Sequence, residues 1–589
     1  MAWSWQFTRL RHDSKEKHTE LSGILTYGKP SMDLKTMRTC TKVTVVLLLL
    51  HCHTFGAEKQ ALQFIRLPTV VPNPNPAAPL AAVLSFEANQ DVTAEVSLTD
   101  GTNRWSVYFD EAKKIASGLP VIGFRPGRNH QLTVTIKNSA GQTLSVNGLV
   151  FHAPNIPTDP TLFPKIETRT SLIDRVEPGY RLLNPRRRVP QGAQLNEEQQ
   201  RRFGESFGML LMVDRHGTPV WYYQSESRIA GFDYLDNGRI LFVTADFRLV
   251  EIDLLGNETR SWYAAERPQG YAEDSEDVPA LTFHHDADLL PSGNLIALTT
   301  KRRRINDYFT SETDVDAPRQ TQWVMGDRAI EFTPDGRVLW EWDAFENLPV
   351  RRIGYETFSN YWKRRGFPDT IDWSHANSIT KLDDGSVMVN FRYQSAIVNF
   401  DPADGKINWI FGEPSGWPEE LQSKLIRLEG DARWPWHQHA PVFTSQGTLL
   451  LFDNGNYRAR PFDQPTPVAE TRSRAVEYKL DLEKMTARQV WTSETAEDRP
   501  LVSVAMGSAL ELPETGNILA GYGAVLDPSR INEITWNNRR GFNQITRCVE
   551  YTRETPSEVV WELELKPTGS APEIGWNIFN TQVVRLSAR

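Results

Sequence analysis

Six tryptophans, Trp221, Trp262, Trp340, Trp409, Trp491 and Trp561, close the same short pattern: an alternating strand, a polar turn, and a second strand ending on the indole. Met212–Trp221, Leu249–Trp262, Ile330–Trp340 and Ile397–Trp409 show it plainly, and the six copies lie 41, 78, 69, 82 and 70 residues apart. Upstream of most hairpins a second element runs from a marked residue to a turn glycine eight residues on, then into an apolar strand. It joins Ala230 to Gly238, His285 to Gly293, His439 to Gly447 and Ser508 to Gly516. His375 to Gly385 reads as the same element with a turn two residues longer. Repetition on this scale builds solenoids or propellers, because each unit buries its apolar face against the next.

Five such elements set against six hairpins leave the Trp221 hairpin without an inner strand, and the C-terminal run Thr581–Leu586 is expected to supply it. That is the ring closure of a β-propeller, whose chain ends share one blade. Long amphipathic helical stretches between strands are missing, which argues against a parallel α/β fold. A β-helix would need shorter and more regular repeats. The expected fold class is therefore all-β: a six-bladed β-propeller over 207–589, preceded by a small N-terminal β-sandwich over 58–160. A proline-rich stretch, Pro154–Pro164, opens the intervening linker, taken as 161–206. In the sandwich region Ala82–Phe86, Val92–Leu98, Trp105–Phe109 and Leu132–Lys137 are short β-rich runs with turns at Asp100-Gly101 and Pro126-Gly127. Nothing there carries chemistry, so packing or dimerisation is its expected role.

Residues 1–57 read as an N-terminal extension with an export signal: Arg38 and Lys42, the apolar run Val43–Leu50, then Gly56 and Ala57. The run is too short to span a bilayer, and translation is expected to start near Met37. Export predicts a protein outside the cytoplasm without stable membrane insertion. A net charge of −9 excludes nucleic acid as a globally attracted partner. Three cysteines, Cys40, Cys52 and Cys548, exclude a disulfide framework and a cysteine-rich zinc site.

The chemistry sits in the histidines. Of twelve in the chain, His284, His285, His375, His437 and His439 fall at three of the repeat starts. Read in register, His285, His375 and His439 share one position, so imidazoles from three blades point into one volume. Two chemistries suit them: three neutral imidazoles hold zinc with an open fourth position, or one imidazole acts as nucleophile while the others stabilise charge. Arg392, within Phe391-Arg392-Tyr393-Gln394, favours the second, because a guanidinium repels a dication and clamps an oxyanion. Asn377 adds a neutral donor.

Phe283-His284-His285-Asp286, Ser374-His375-Ala376-Asn377-Ser378, Gln438-His439-Ala440-Pro441 and Leu451-Phe452-Asp453-Asn454-Gly455 resemble the bacterial arylsulfate sulfotransferases. The resemblance extends over nearly everything after residue 58. It implies a periplasmic homodimer in contact through the small domain, with no nucleotide donor, no cofactor and no metal. It also implies ping-pong transfer of a sulfuryl group from an aryl sulfate to a phenol. By position, His439 is the implied nucleophile that becomes a transient sulfohistidine. His375, Asn377 and Arg392 bind sulfate, and His285 is the remaining catalytic histidine. His284, a further candidate for substrate binding, is the neighbour that could be confused with it, since strand alternation lets only one of the two face the channel. Tyr393 and Trp436, with Trp434, are candidates to stack on an aryl ring. Asp286 and Asp288 are candidates to orient imidazoles or cap turns, and Arg302-Arg303-Arg304 reads as a solvated charge run. Well-known members carry a disulfide near the nucleophile, whereas this chain has no cysteine between Cys52 and Cys548. The rival readings are a zinc-dependent propeller lyase or lactonase using the same histidines, and a non-catalytic propeller.

Overall fold

The structure is a computed structural model that describes residues 61–204, 207–494, 501–569 and 573–585. The expected signal segment, with Cys40 and Cys52, lies outside the described residues.

The N-terminal strands Phe64–Pro72, Ala82–Thr99, Arg104–Val121, Asn129–Asn138 and Thr143–His152 form one hydrogen-bonded sheet around the 18-residue strand Ala82–Thr99. Burial alternates along that strand, the period-2 signature of a sheet with one covered face. Leu84, Phe86 and Val96 belong to the same apolar core as Leu211, Trp561 and Leu563, so the small domain packs directly on the propeller.

Besides one two-stranded pair, Arg186–Arg188 with Gly575–Asn577, the rest of the described residues forms six sheets of four or five strands. Their inner strands are Ile229–Tyr234, Ala287–Leu289, Ala376–Lys381, His439–Phe443, Ser508–Glu511 and Thr581–Val584. Successive inner strands touch, which closes a ring. The repeated tryptophan has a physical explanation in this ring. Trp221 Nε1–H donates to the Leu254 carbonyl at 2.8 Å, Trp262 to Pro334 at 2.8 Å and Trp561 to Arg215 at 2.8 Å, each in an outer turn of the next sheet. In the sheet of Val338–Asp343 this bond comes from Trp342, to Gly405 O at 3.0 Å, while Trp340 donates to Glu331. In these four sheets the indole fills the groove between blades and satisfies a carbonyl that would otherwise be covered without a partner, whereas the buried Trp491 Nε1–H has no such acceptor.

The closing sheet departs from the expected linker. Thr581–Val584 is its inner strand, but it pairs with Tyr180–Leu183, which in turn pairs with Gly208–Val213 and so reaches the Trp221 hairpin. Lys165–Thr170 adds an outer strand to the neighbouring sheet, beside Val559–Lys566. Residues 161–206 are therefore woven into the ring. The Tyr180–Leu183 strand escaped the sequence reading because Arg181 breaks its apolar pattern. Arg181 is buried and bonds the Glu550 carboxylate at 2.7 Å.

Candidate active site

Counting back from the turn glycines corrects the expected histidine register. Gly385 N–H closes on Leu382 O at 2.9 Å, as Gly293 closes on Leu290 at 2.8 Å and Gly447 on Thr444 at 2.9 Å, so the turn after His375 is no longer than the others. Asn377, not His375, shares the register of His439 and His285. His375 instead aligns with His437, and both take left-handed backbone conformations, with φ of 50° and 53°. His285 does the same at φ 58°. Non-glycine residues adopt such a φ only where the surroundings hold them there. One such restraint is Gly231, whose N–H donates to His285 O at 2.7 Å and where an added Cβ would lie 2.2 Å from that oxygen.

His284, His285, His375 and His439 nevertheless meet at one cavity of about 830 Å³, together with Arg392 and Tyr393. His284 and His285 precede the strand Ala287–Leu289, so strand alternation does not separate them. His285 and His375 stand 4.7 Å apart between ring centroids, and His375 stacks on Tyr393 at 4.5 Å. Asn377 and Trp436 are not among the residues that line the cavity. Asn377 donates to Gln438 O at 3.0 Å and accepts from Asn390 at 2.6 Å, bracing two inner strands instead of facing a ligand. Trp436 holds the loop below through its backbone, its N–H on Asp453 at 2.9 Å. Trp434 packs on Phe411 at 5.4 Å. Asp286 accepts from Ile379 N–H at 2.9 Å. Arg303 pairs with Asp343 at 2.8 Å, and Arg302–Arg304 lie away from the cavity.

The protonation pattern follows from the partners. Asn454 gives both N–H bonds to carbonyls, Ser503 and Met506, each at 2.9 Å. Its Oδ1 must then accept, and the group 2.6 Å away is His439 Nδ1, which therefore carries the proton. Nε2 keeps a lone pair, on which Met506 N–H rests at 3.2 Å. Burial first, and then the Arg392 charge, hold His439 well below the usual histidine range, so it is neutral at pH 7. His375 Nδ1 lies 2.5 Å from Asp372 Oδ2, which fixes the ring and stabilises any charge it takes up. His284 directs Nε2 to Asp327 at 3.2 Å and its Nδ1 to His285 Nδ1 at 2.8 Å. Burial, then His375, keep His285 well below the usual range.

Arg392 is aimed by three contacts. Its N–H meets His375 O at 3.1 Å, one Nη bonds Glu356 at 2.6 Å and the other bonds Val504 O at 3.1 Å. Its Nε–H is buried with no protein acceptor. Glu356 also binds Arg539, and despite burial these two cations hold its carboxyl far below the usual range. Sequence reasoning missed Glu356, Tyr361, Asp372, Asp327 and most of the cavity's arginines. Only Asp372, three residues before His375, and the Arg186–Arg188, Arg364-Arg365 and Arg539-Arg540 runs left a sequence signal.

Fold and site together define a β-propeller whose cavity brings four imidazoles beside a buried arginine. A family model described as Arylsulfotransferase (ASST) matches residues 189–568, and a second, Arylsulfotransferase Ig-like domain, matches 69–151. The chain belongs to the arylsulfotransferase family and is an enzyme of the sulfotransferase class. It is 22% identical over 544 residues to an arylsulfate sulfotransferase AssT of Escherichia coli O6:H1, spanning 78% of this chain and 85% of that one. It is 21% identical over 495 residues to another AssT, from Lelliottia amnigena, spanning 72% and 80%.

Proposed function

We propose that this enzyme moves a sulfuryl group from an aryl sulfate to a phenol in two displacements at sulfur. His439 Nε2 attacks; the N–S bond forms as the S–O(aryl) bond breaks and the phenolate leaves. The acceptor phenol then attacks the sulfohistidine, and His439 is restored. The observation that carries this reading is the Nδ1–H bond of His439 to Asn454, because it leaves the lone pair on the cavity-facing nitrogen. The 3.2 Å contact from Met506 N–H is long enough for an incoming sulfur to displace it. Arg392 Nε–H is the oriented donor for a sulfuryl oxygen. His375, backed by Asp372, is the group that gives a proton to the leaving oxygen and takes one from the acceptor. Periplasmic export belongs to the same proposal, and among the described residues no helix is long and apolar enough to cross a membrane. So does a dimer through the small domain, whose edge strand leaves Ile65 and Leu67 exposed.

Mixing the protein with a chromogenic aryl sulfate and a phenol tests the reading: a burst of one phenol per site, followed by turnover dependent on acceptor, is the expected outcome. Absence of any phenol release would refute it. The transfer reading routes no step through a metal, because Arg392 supplies the positive charge. Prolonged chelation followed by desalting should therefore leave transfer unchanged. Activity lost with a stoichiometric metal and regained on its return would overturn that expectation.

The pH dependence divides by leaving group. His439 must be neutral, and its affinity for protons is depressed, so the burst rate should hold until the pH falls well below 6.5. Donors with poor leaving groups need a proton delivered to the departing oxygen and should slow at high pH, whereas nitrophenyl-type donors should respond little. Burst rates for donors of graded phenol acidity between pH 5 and 10 read this out, and superimposable profiles would mean that no histidine acts as general acid.

A further inference from the structure

The cavity holds far more positive charge than one sulfate ester needs. Nine of its lining side chains are arginines, and Glu356 is the single carboxylate among the lining residues described. That carboxylate is already bonded to Arg392 and Arg539. The remaining guanidinium groups include Arg186, which directs one Nη to the Met506 sulfur at 3.3 Å and stands 5.4 Å from the Phe579 ring centroid. Its Nε–H is buried with no acceptor. Arg365 bonds the Tyr361 carbonyl at 2.9 Å and lies 3.5 Å over the Tyr361 ring. Burial and then mutual repulsion push the Arg186 guanidinium down to about 9, with Arg228 and Arg365 among the repelling cations, and Arg228 down to about 10. Cations crowded together away from bulk water favour an anion placed among them.

The patch adjoins the reacting nitrogen but is built from other residues than the Arg392–Glu356 pair. Met506, whose sulfur touches Arg186, gives its N–H to His439 Nε2. Phe579 lies 6.4 Å from the His439 ring and 5.8 Å from the His285 ring. We propose that Arg186 and Arg365 form a second anion subsite, and that the favoured substrates are aromatic dianions. Such a ring carries the transferable sulfate ester at His439 and a second, permanent anionic group in the arginine patch. Phe579, beside both Arg186 and His439, supplies an apolar contact for the ring between them. The ester half of this inference rests on the sulfuryl-transfer reading; the anion subsite does not, and the two are separable by experiment.

The first measurement is binding without turnover. Calorimetric titration of the full-length protein with benzene-1,3-disulfonate and with benzenesulfonate should show the disulfonate binding at least about tenfold more tightly. That preference should shrink several-fold in Arg186→Gln, and also in Arg365→Gln, which sits at a half-buried position and serves if the first variant folds poorly. Equal affinity for the two anions in the native protein would overturn the subsite, as would a preference that both folded variants retain. 3-Sulfobenzoate distinguishes the source of the second charge: binding like the disulfonate marks carboxylated rings as ligands, and binding like the monosulfonate marks sulfated ones. The second measurement is kcat/KM for 4-nitrophenyl sulfate with and without a ring carboxylate, whose ratio should fall about tenfold in the same variants. A disulfonate preference in a protein that releases no phenol from either donor would keep the subsite and sink the transfer reading instead.

Discussion

His439→Ala should lower sulfuryl transfer by on the order of 10⁴-fold or more, the scale seen when a covalent nucleophile is removed, and should leave the fold intact. Little structural loss is expected, because the imidazole's main partner, the Asn454 side chain, stays tied to Ser503 and Met506 through its own N–H bonds. The freed Oδ1 is left beside the cavity, where water replaces the imidazole. Intact-protein mass spectrometry after mixing with donor should show a sulfuryl adduct on the native protein and none on the variant. His437→Ala is the control. His437 is buried 4.0 Å from Glu356 and its Nδ1 has no hydrogen-bond partner, so it is not positioned as Asn454 positions His439. Its loss should cost under about tenfold. Asn454→Ala should fall between the two, because nothing then keeps the His439 proton on Nδ1. A folded His439→Ala protein that turns over at near-native rates would remove the sulfohistidine step from the mechanism.

Arg392→Ala should cost about 10²- to 10³-fold in kcat, the value of one preorganised oxyanion donor. Arg392→Lys should not restore it. The guanidinium spends one Nη on Glu356 and one on Val504 O and keeps Nε–H for the substrate, a division among three donors in one plane that an ammonium cannot reproduce. The variants should also move the acid limb of the burst-rate profile. Arg392 is the main charge that disfavours protonation of His439, second only to burial. Without it the His439 pKa rises toward the ordinary value near 6.5, and the rate should begin to fall at a higher pH than in the native enzyme. A lysine keeps the charge and should keep the native acid limb while losing rate. Charge and geometry are thereby read separately. Arg392→Ala with a native rate and an unshifted limb would assign the sulfate site to the other arginines.

Much of the fold was legible in the chain because a propeller repeats its physics. Each blade has an outer hairpin and an inter-blade groove, and the recurring tryptophan that fills the groove marks the period. The histidines were legible because four of the five at the repeat starts converge on one cavity, at the ends of inner strands. Their register was not. A left-handed residue before the strand, as at His375, lets a side chain reach the cavity from a position that counting assigns elsewhere, so the pattern points to Asn377 as a ligand where it is a brace. Strand Tyr180–Leu183 was hidden for a related reason: Arg181 is buried only because Glu550, far along the chain, neutralises it. The electrostatics of the site were the least accessible. Arg186, Arg228, Arg365, Arg392 and Arg539 are scattered between positions 186 and 539, and composition describes an acidic chain of net charge −9. Which arginines share the one carboxylate, and which are left facing the cavity, depends on distances of a few ångströms between blades. Sequence alone determined the ring and the imidazoles at its mouth; tertiary packing decided their protonation and the charge around them, because both are set by neighbours that only the closed ring brings together.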